Sequence, residues 1–449
     1  MKSKMTHDKI KTSLRYSLLD GIFASIMIGF TDTFIAPYAL AMGAGSSIIG
    51  VLSSVPNLVG AFFQNLSASI VERLGSRQAL INRAVLLHAL VLIPIISIPY
   101  LFKAREVFWL IIFYTAFVSL NLLAFPAWSS MMADHIPESE RGRVFGMRNR
   151  IFGITNVSAM FLAGLILYLV QRYVSLRGTP LEVYSGVFGF SLIFTIAFAA
   201  RIISWKFLTK MYEPRLDIRP EHRFTIWSFL RRLPKTNFGR FVIFMACMNF
   251  TVNISGPFLP VYMIKELKFD YLTYTVITLT ATLTIFFMMN WWGIHADHIG
   301  NRRVIRLSSF FIPLVPFMWL FSHNVVYLVA VQIFAGFFWA GFNLSSSNFI
   351  YDAVTPEKRT RCIAYYSVIN CIAIFLGALT GAGLIKIIPP LFGYKIMSLF
   401  IISTVGRGLV VLFLSGFREV RQVKHVSHRE LFYSVIGLRP IIPALSRSE

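Results

Sequence analysis

The stretch that decides the fold is residues 293–303, Gly-Ile-His-Ala-Asp-His-Ile-Gly-Asn-Arg-Arg, a charged turn between two long apolar runs. A looser copy occupies residues 68–77 and reads Ala-Ser-Ile-Val-Glu-Arg-Leu-Gly-Ser-Arg. Two copies half a chain apart indicate a duplicated unit. The acid, the glycine and the arginine of the two copies are each separated by 225 positions: Glu72 and Asp297, Gly75 and Gly300, Arg77 and Arg302.

The composition is that of a polytopic membrane protein. The 449 residues are 56% hydrophobic and 14% charged, and their mean hydropathy is +0.66, whereas about a quarter of residues carry charge in an ordinary soluble domain. The net charge is +23. Because the lysines and arginines are spread through short loops rather than gathered on one helix face, they favour a membrane-orientation signal over nucleic-acid binding. We therefore expect a lipid bilayer and no nucleic acid as partner.

The apolar runs predict twelve membrane helices in two sets of six, if about 20 residues make one span. The first set lies near residues 17–41, 48–71, 79–102, 107–133, 144–171 and 183–206. The second set lies near residues 241–264, 271–294, 303–322, 325–350, 362–388 and 394–417. The predicted division is a tail (1–16), a first half (17–206), a basic linker (207–240), a second half (241–417) and a second tail (418–449).

The distribution of basic residues predicts the orientation. An even number of spans puts both termini on one face of the membrane. Almost all lysines and arginines fall on that face, apart from eight in the odd-numbered connections: Lys103, Arg105, Arg172, Arg177, Lys265, Lys268, Lys386 and Lys395. By the positive-inside rule, the termini, the linker and both charged turns should be cytoplasmic. We expect an integral protein of the cell (plasma) membrane.

The duplicated turn resembles the signature of the major facilitator superfamily of secondary transporters, a Gly-x-Leu-Ala-Asp-Arg-x-Gly-Arg-Lys motif between the second and third helices of each half. The later copy keeps Gly293, Ala296, Asp297, Gly300 and Arg302, whereas the earlier copy has Ala68 for the first glycine and Glu72 for the acid. The resemblance covers residues 14 to 417. It implies an all-α membrane fold of two pseudo-symmetric six-helix bundles that work by alternating access.

A second repeat follows the fourth and tenth spans. Its members are 218 positions apart, namely Asp134 and Asp352, Arg141 and Arg359, Arg143 and Arg361. Solvated loop charge is the alternative interpretation, since exposed pairs contribute little. The family resemblance implies a cytoplasmic gate made of both repeats. In that gate, Glu72 would face the start of the eleventh span near Arg361, and Asp297 the start of the fifth near Arg143.

Asp32 is a lone carboxylate in the middle of the first predicted span. A charge at this depth is costly unless it is partnered or faces water. Desolvation disfavours the charged carboxylate, and a group that is protonated near physiological pH can couple transport to protons. A structural carboxylate bonded to an asparagine or arginine across the bundle is the alternative, and the sequence leaves the two interpretations even.

Several asparagines within the spans are candidates for a polar cavity. The Gly256-Pro257 pair should break the seventh span, and broken helices mark binding sites in transporters. Taken singly, each asparagine is more typical of a hydrogen bond between helices than of a substrate contact. The predicted lining of the substrate cavity comprises Asn57, Asn121, Asn249, Asn253, Asn343 and Asn370.

No motif of an enzyme is present. The sequence lacks a nucleotide-binding loop, a nucleophile elbow and a zinc-hydrolase helix, so it predicts neither catalysis nor a cofactor. His295, Asp297 and His298 could in principle ligate a metal, but their position inside the signature turn argues against a metal site.

The sequence therefore predicts a secondary transporter of a small solute, acting as a monomer, with protons as the candidate coupling ion. Four alternatives stay open. They are a sugar or amino acid symporter, a drug/proton efflux antiporter, a lipid or lysolipid translocator, and a non-transporting membrane sensor.

Overall fold

The computed structural model describes residues 2–102, 105–136, 141–173, 185–213, 226–414 and 416–420. Within these ranges, the side chains of residues 2–9, 133, 141–146, 185, 356, 357, 359, 360, 413 and 414 lie outside the description. The described chain is α-helical. Its first helices are α1 (Lys2–Thr31), α2 (Ile35–Ala41), α3 (Ser46–Leu74), α4 (Arg77–Leu90), α5 (Leu92–Leu101), α6 (Glu106–His135), α7 (Arg141–Tyr173) and α8 (Ser185–Leu208).

The later part of the chain contains the short helix α9 and the second set of spans. A 3-10 turn (Gly256–Phe258) and a π-helical turn (Tyr262–Glu266) interrupt the seventh span. The α-helices are α9 (Ile226–Arg232), α10 (Asn237–Ser255), α11 (Leu259–Val261), α12 (Tyr271–Ile299), α13 (Asn301–Phe311), α14 (Leu314–Met318), α15 (Val325–Ala353), α16 (Pro356–Ile387) and α17 (Lys395–Leu414).

Eleven helical segments of the described chain are long and apolar enough to cross a membrane, judged by length and composition. The predicted ninth span, residues 303–322, is the one that does not appear among them, because it is divided into α13 and α14. Proline explains the division, since Pro313 and Pro316 have no amide hydrogen and clash with the preceding turn. The segment is still helical from Asn301 to Met318 apart from this interruption.

In the first half, α1 packs closely on α7 through small residues. Ser17, Gly21, Ser25 and Gly29 recur every four residues along α1 and so lie on one face of the helix. A Cβ added at Gly29 would lie 2.6 Å from the carbonyl oxygen of Asn156 on α7. Helices in membranes associate through such small residues, which let the two backbones approach.

In the second half, α12 and α15 pack in a comparable way. A Cβ added at Gly336 would lie 2.7 Å from the carbonyl oxygen of Ala281. The buried indole of Trp292 donates a 2.7 Å hydrogen bond to the carbonyl of Phe337. An aromatic cluster of Phe241 and Phe349, with ring centroids 4.6 Å apart, joins α10 to the end of α15.

The described chain forms two compact units. One contains Met1–Arg219, Gly256–Val276 and Ala378–Ile387, and the other contains Pro220–Ser255, Ile277–Gly377 and Ile388–Glu449. The first unit thus includes the first half together with short pieces of the seventh, eighth and eleventh spans. The division into halves at linker 207–240 stays a prediction.

Candidate functional site

Asp32 lies where the first span breaks. Helix α1 ends at Thr31 and α2 begins at Ile35, so Asp32 is in the turn between them. The amide of Phe34 bonds to the carbonyl of Thr31 at 2.9 Å, which is a tighter pattern than the α-helix. Pro37 accounts for the break, because it cannot donate a hydrogen bond to the carbonyl of Thr33 four residues earlier.

The Asp32 carboxylate has little compensation for its charge. The Thr31 hydroxyl lies 3.2 Å from its Oδ1 atom, but the same hydroxyl lies 2.9 Å from the carbonyl oxygen of Met27 and has only one proton to donate. Tyr114 on α6 is the ionisable side chain whose electrostatic interaction reaches Asp32. The Asp32 side chain is exposed, and no lysine, arginine or histidine among the described residues acts on its charge.

Three of the predicted cavity asparagines come together in the second unit. The side-chain amide of Asn249 donates a 2.8 Å hydrogen bond to Oδ1 of Asn370, which joins the seventh span to the eleventh. Asn370 also donates to the carbonyl of Tyr366 at 3.0 Å, and Asn253 donates to the carbonyl of Asn249 at 2.8 Å. The Asn249–Asn370 pair therefore links the two spans, with Asn370 buried and Asn249 half-buried.

The other three predicted asparagines do not join this group in the described structure. Asn57 donates to the carbonyl of Ser53 on its own helix at 3.0 Å. The side chains of Asn57, Asn121 and Asn343 are exposed. Their assignment to a cavity stays a prediction.

Both signature turns use their glycine for the same backbone reason. Gly75 follows α3 with φ +65°, and Gly300 lies between α12 and α13 with φ +89°. Side chains with a Cβ rarely adopt positive φ, so glycine is favoured at each turn. The amides of Gly75 and Gly300 bond to the carbonyls of Val71 and Ala296 at 2.9 Å and 3.0 Å, which closes the ends of the second and eighth spans.

The structure brings the arginine of the first turn to the acid of the second repeat in the same half. Arg77 is buried, and its Nη1 atom lies 2.6 Å from Oδ2 of Asp134 and 3.0 Å from the hydroxyl of Ser130. In the other half, the side-chain amide of Asn301 donates a 2.7 Å hydrogen bond to Oδ2 of Asp352. The two repeats are thus connected within each half.

Two glutamates that the sequence reasoning missed cap the helices after the turns. The carboxylate of Glu213 accepts hydrogen bonds from the amide of Arg77 at 2.6 Å and from the hydroxyl of Ser76 at 2.5 Å. The carboxylate of Glu419 accepts a 2.8 Å bond from the amide of Arg302. A carboxylate at a helix N-terminus satisfies an otherwise unpaired amide and interacts favourably with the helix dipole.

A repeat in the sequence could have identified these caps. Arg201 and Arg407, and likewise Glu213 and Glu419, are each 206 positions apart. The sixth and twelfth spans therefore both carry an arginine followed twelve positions later by a glutamate. The interval differs from the 225 of the turns, so a search at one fixed period does not find it.

The two arginines of this repeat are buried and occupy corresponding places with different partners. Arg201 donates from Nε to Nδ1 of His88 at 3.2 Å and from Nη1 to the hydroxyl of Ser204 at 3.1 Å. Ser204 in turn donates to Oδ1 of buried Asp20 at 2.6 Å. The first half thus encloses a connected ionic network.

Arg407 has no carboxylate partner in the described part of the chain. Its guanidinium contacts the carbonyls of Ile312 and Val252 and the hydroxyl of Ser255, each at 3.4 Å. These acceptors lie at the C-terminal ends of α13 and α10, where helix dipoles concentrate negative charge. The residue at i+4 from Ile312 is Pro316, which has no amide hydrogen to offer.

The remaining predicted gate residues are placed as follows. Glu72 and Asp297 are exposed in the last turns of α3 and α12, and Arg361 is half-buried near the start of α16. Arg141 and Arg143 lie in the first turn of α7 and Arg359 in that of α16, but their side chains are outside the described structure. The approach of Glu72 and Asp297 to helices of the opposite half stays a prediction.

These features define an all-α integral membrane protein built from a duplicated unit. The family model for the Major Facilitator Superfamily matches residues 21–291 and 241–447. The chain belongs to the Major Facilitator Superfamily, and it is a secondary transporter rather than an enzyme. No protein of curated function matches its sequence.

Solved transporter structures share the fold at low sequence identity. A mutant of the nucleoside transporter NupG matches with a TM-score of 0.72 at 13% identity, covering 91% of this chain and 100% of that one. A D-xylose-proton symporter matches with a TM-score of 0.70 at 12% identity, covering 92% and 99%. The inward-open xylose transporter XylE from E. coli matches with a TM-score of 0.63 at 15% identity, covering 94% and 98%. These likenesses confirm the predicted fold.

Proposed function

We propose that the chain couples the movement of a small polar solute to protons, and that Asp32 takes up and releases the proton. The observation that supports this most is the setting of Asp32. Its carboxylate stands at a break in the first span with a shared hydroxyl donor and no cation among the described residues. A carboxylate without a counter-ion inside a membrane span is stable as the charged form only while water reaches it. Closing the site around it therefore favours protonation.

The Asn249–Asn370 pair supports a polar solute. Each side-chain amide can both donate and accept hydrogen bonds, which suits the hydroxyl and amide groups of a polar metabolite. Such a pair offers no advantage to a purely apolar drug or to an acyl chain. Nucleosides and pentoses are the first ligands to test, because transporters for them share the fold.

We also propose that the termini, the linker and both signature turns face the cytoplasm of a cell membrane. The excess of lysine and arginine outside the spans lies on that face, and such an excess marks the cytoplasmic side. Tags accessible from outside intact cells at either terminus would contradict this orientation.

The experiment uses purified protein reconstituted in proteoliposomes. A thermal-shift screen with nucleosides and pentoses identifies a ligand, and uptake of that ligand is then measured with and without an imposed proton gradient. We expect Asp32→Asn to abolish accumulation against the solute gradient while counterflow exchange continues, because exchange needs no net proton movement. The matched control is Asp270→Asn, an exposed carboxylate that caps the amide of Thr273 at 2.7 Å and whose capping an asparagine can replace.

The coupling assignment fails if Asp32→Asn still accumulates the solute uphill with the pH dependence of the parent protein. Equal loss of uphill accumulation in Asp270→Asn would show that the effect of Asp32→Asn is not specific to the first span.

A further inference from the structure

The short helix α2 is held at both ends by side chains from a distant part of the sequence. At its start, the hydroxyl of Tyr274 donates a 3.0 Å hydrogen bond to the carbonyl of Thr33. Past its end, the ammonium of Lys265 donates a 2.6 Å bond to the carbonyl of Ala44. We call these two bonds the α2 clamp.

Both acceptors are carbonyls that receive no hydrogen bond from a backbone amide of the described chain. The carbonyl of Thr33 has Pro37 at the i+4 position, which has no amide hydrogen. Ala44 lies in the loop between α2 and α3, outside both helices. Because an open carbonyl inside a membrane protein is costly, each bond of the α2 clamp stabilises the arrangement in which it forms.

The donors reach α2 because the Gly256–Val276 segment belongs to the same compact unit as the first half. The packing around this segment is close. A Cβ added at Gly50 would lie 3.2 Å from the ring of Phe258, and one added at Gly164 would clash with the side chain of Thr275. Tyr274 itself is only 2% exposed, so its bond to Thr33 is shielded from water.

The buried bond of the α2 clamp lies one peptide unit from Asp32. It fixes the turn of residues 32–34, and that turn determines where the Asp32 carboxylate points. Among the described residues, Tyr114 on α6 acts electrostatically on Asp32 and Tyr274 on α12 bonds to the turn. No basic side chain among the described residues acts on the carboxylate.

We propose that Tyr274 is a positioning residue for Asp32, and that the α2 clamp must release before the Asp32 turn can open toward the membrane face on which α2 lies. The positioning role rests on the proposed proton-coupling function. The α2 clamp stands independently of it. Lys265, which is exposed, contributes the weaker bond because water competes for its ammonium.

The first measurement is hydrogen–deuterium exchange of the peptide covering residues 32–45 in the intact protein in detergent. Tyr274→Phe keeps the ring and removes the donor, so exchange of this peptide should rise by roughly 2-fold to 10-fold, the factor expected for one buried neutral hydrogen bond. The matched control is Tyr271→Phe. The ring of Tyr271 packs edge-on against Phe190 at 5.2 Å, and its hydroxyl has no hydrogen bond within the described chain.

A second pair of variants tests the bond between Lys265 and the carbonyl of Ala44. Lys265→Met should raise exchange of the same peptide by no more than about 2-fold, since the bond is partly exposed. Lys268→Met, which removes an exposed lysine three positions away, should leave exchange unchanged. If Tyr274→Phe exchanges like the parent protein, or if Tyr271→Phe rises equally, the α2 clamp is refuted.

The second measurement is the pH profile of solute uptake. If the Tyr274 hydroxyl had a purely structural role, its removal would not shift this profile. We expect the profile of Tyr274→Phe to be displaced along the pH axis and that of Tyr271→Phe to coincide with the parent. A rise in exchange with an undisplaced profile overturns the positioning of Asp32. If instead Asp32→Asn retains uphill transport while Tyr274→Phe exchanges faster, the proposed coupling function fails and the α2 clamp stands.

Discussion

The sixth and the twelfth spans each contain a buried arginine, and replacing one or the other by methionine should destabilise the protein to very different extents. Arg201 and Arg407 occupy corresponding positions, and both are at most 6% exposed. Methionine is comparably long, flexible and apolar, so it can fill the space without a charge. The difference between the two variants then reports on the partners of each guanidinium.

The magnitudes follow from those partners. Arg201→Met leaves the carboxylate of Asp20, which is 4% exposed, without the cation of its network. Breaking a buried ion pair from one side costs about 3–5 kcal/mol. Because Arg148 also acts on Asp20, we expect the lower end, about 3 kcal/mol. Arg407→Met removes three long contacts and also an unpaired charge, so we expect a loss of about 1 kcal/mol or less.

The assay is the free energy of unfolding from sodium dodecyl sulfate titration in mixed micelles. A third variant carries both Asp20→Asn and Arg201→Met, which removes the Asp20 carboxylate together with the Arg201 guanidinium. It should be less destabilised than Arg201→Met alone, because no uncompensated carboxylate stays buried. The reasoning is refuted if Arg407→Met costs as much as Arg201→Met, or if the double variant shows no recovery.

Two further predictions use the same assay. Replacing Gly75 by alanine should cost about 1–2 kcal/mol, because of its positive φ. Replacing Gly300 by alanine should cost more, because the added Cβ would clash with the carboxylate of Glu419 and displace that cap. Equal losses would contradict the capping role of Glu419. Asn249→Ala and Asn370→Ala should each lower the free energy of unfolding by about 1 kcal/mol. The double variant should lose less than the sum of the two, because the pair shares one 2.8 Å hydrogen bond. Strictly additive losses would show that this bond contributes nothing.

The sequence predicted those features of the site that one residue type determines locally. Gly75 and Gly300 were predicted as corresponding turn positions, and both adopt positive φ. Only glycine enters that region readily, so its repeated position reports directly on the backbone. The interruption of the seventh span at Gly256–Phe258 follows in the same way from the Gly256-Pro257 pair.

The partners of charged residues could not be predicted in this way. Arg77 has acids at positions 72, 134 and 213 that are all compatible with its sequence pattern, and it contacts Asp134 at 2.6 Å with Glu213 at 3.7 Å. A charge attracts any opposite charge, so composition and spacing do not choose among them. Helix packing makes the choice, and packing depends on residues distant in sequence. Glu213 was missed for the same reason, since it stands at the edge of a linker rich in charges.

Helix breaks show the same limit. A proline identifies the carbonyl that loses its amide donor, as Pro37 does for Thr33 and Pro316 for Ile312, but it does not identify the side chain that replaces that donor. The carbonyl of Ile312 receives Arg407 from within its own half. The carbonyl of Thr33 receives Tyr274 from the eighth span. A donor from the same predicted half keeps its distance to the carbonyl when the halves rotate as rigid bodies, whereas a donor from the other half does not. Because the predicted division at linker 207–240 places Thr33 and Tyr274 in different halves, the bond between them is the one that we expect to break when those halves rearrange.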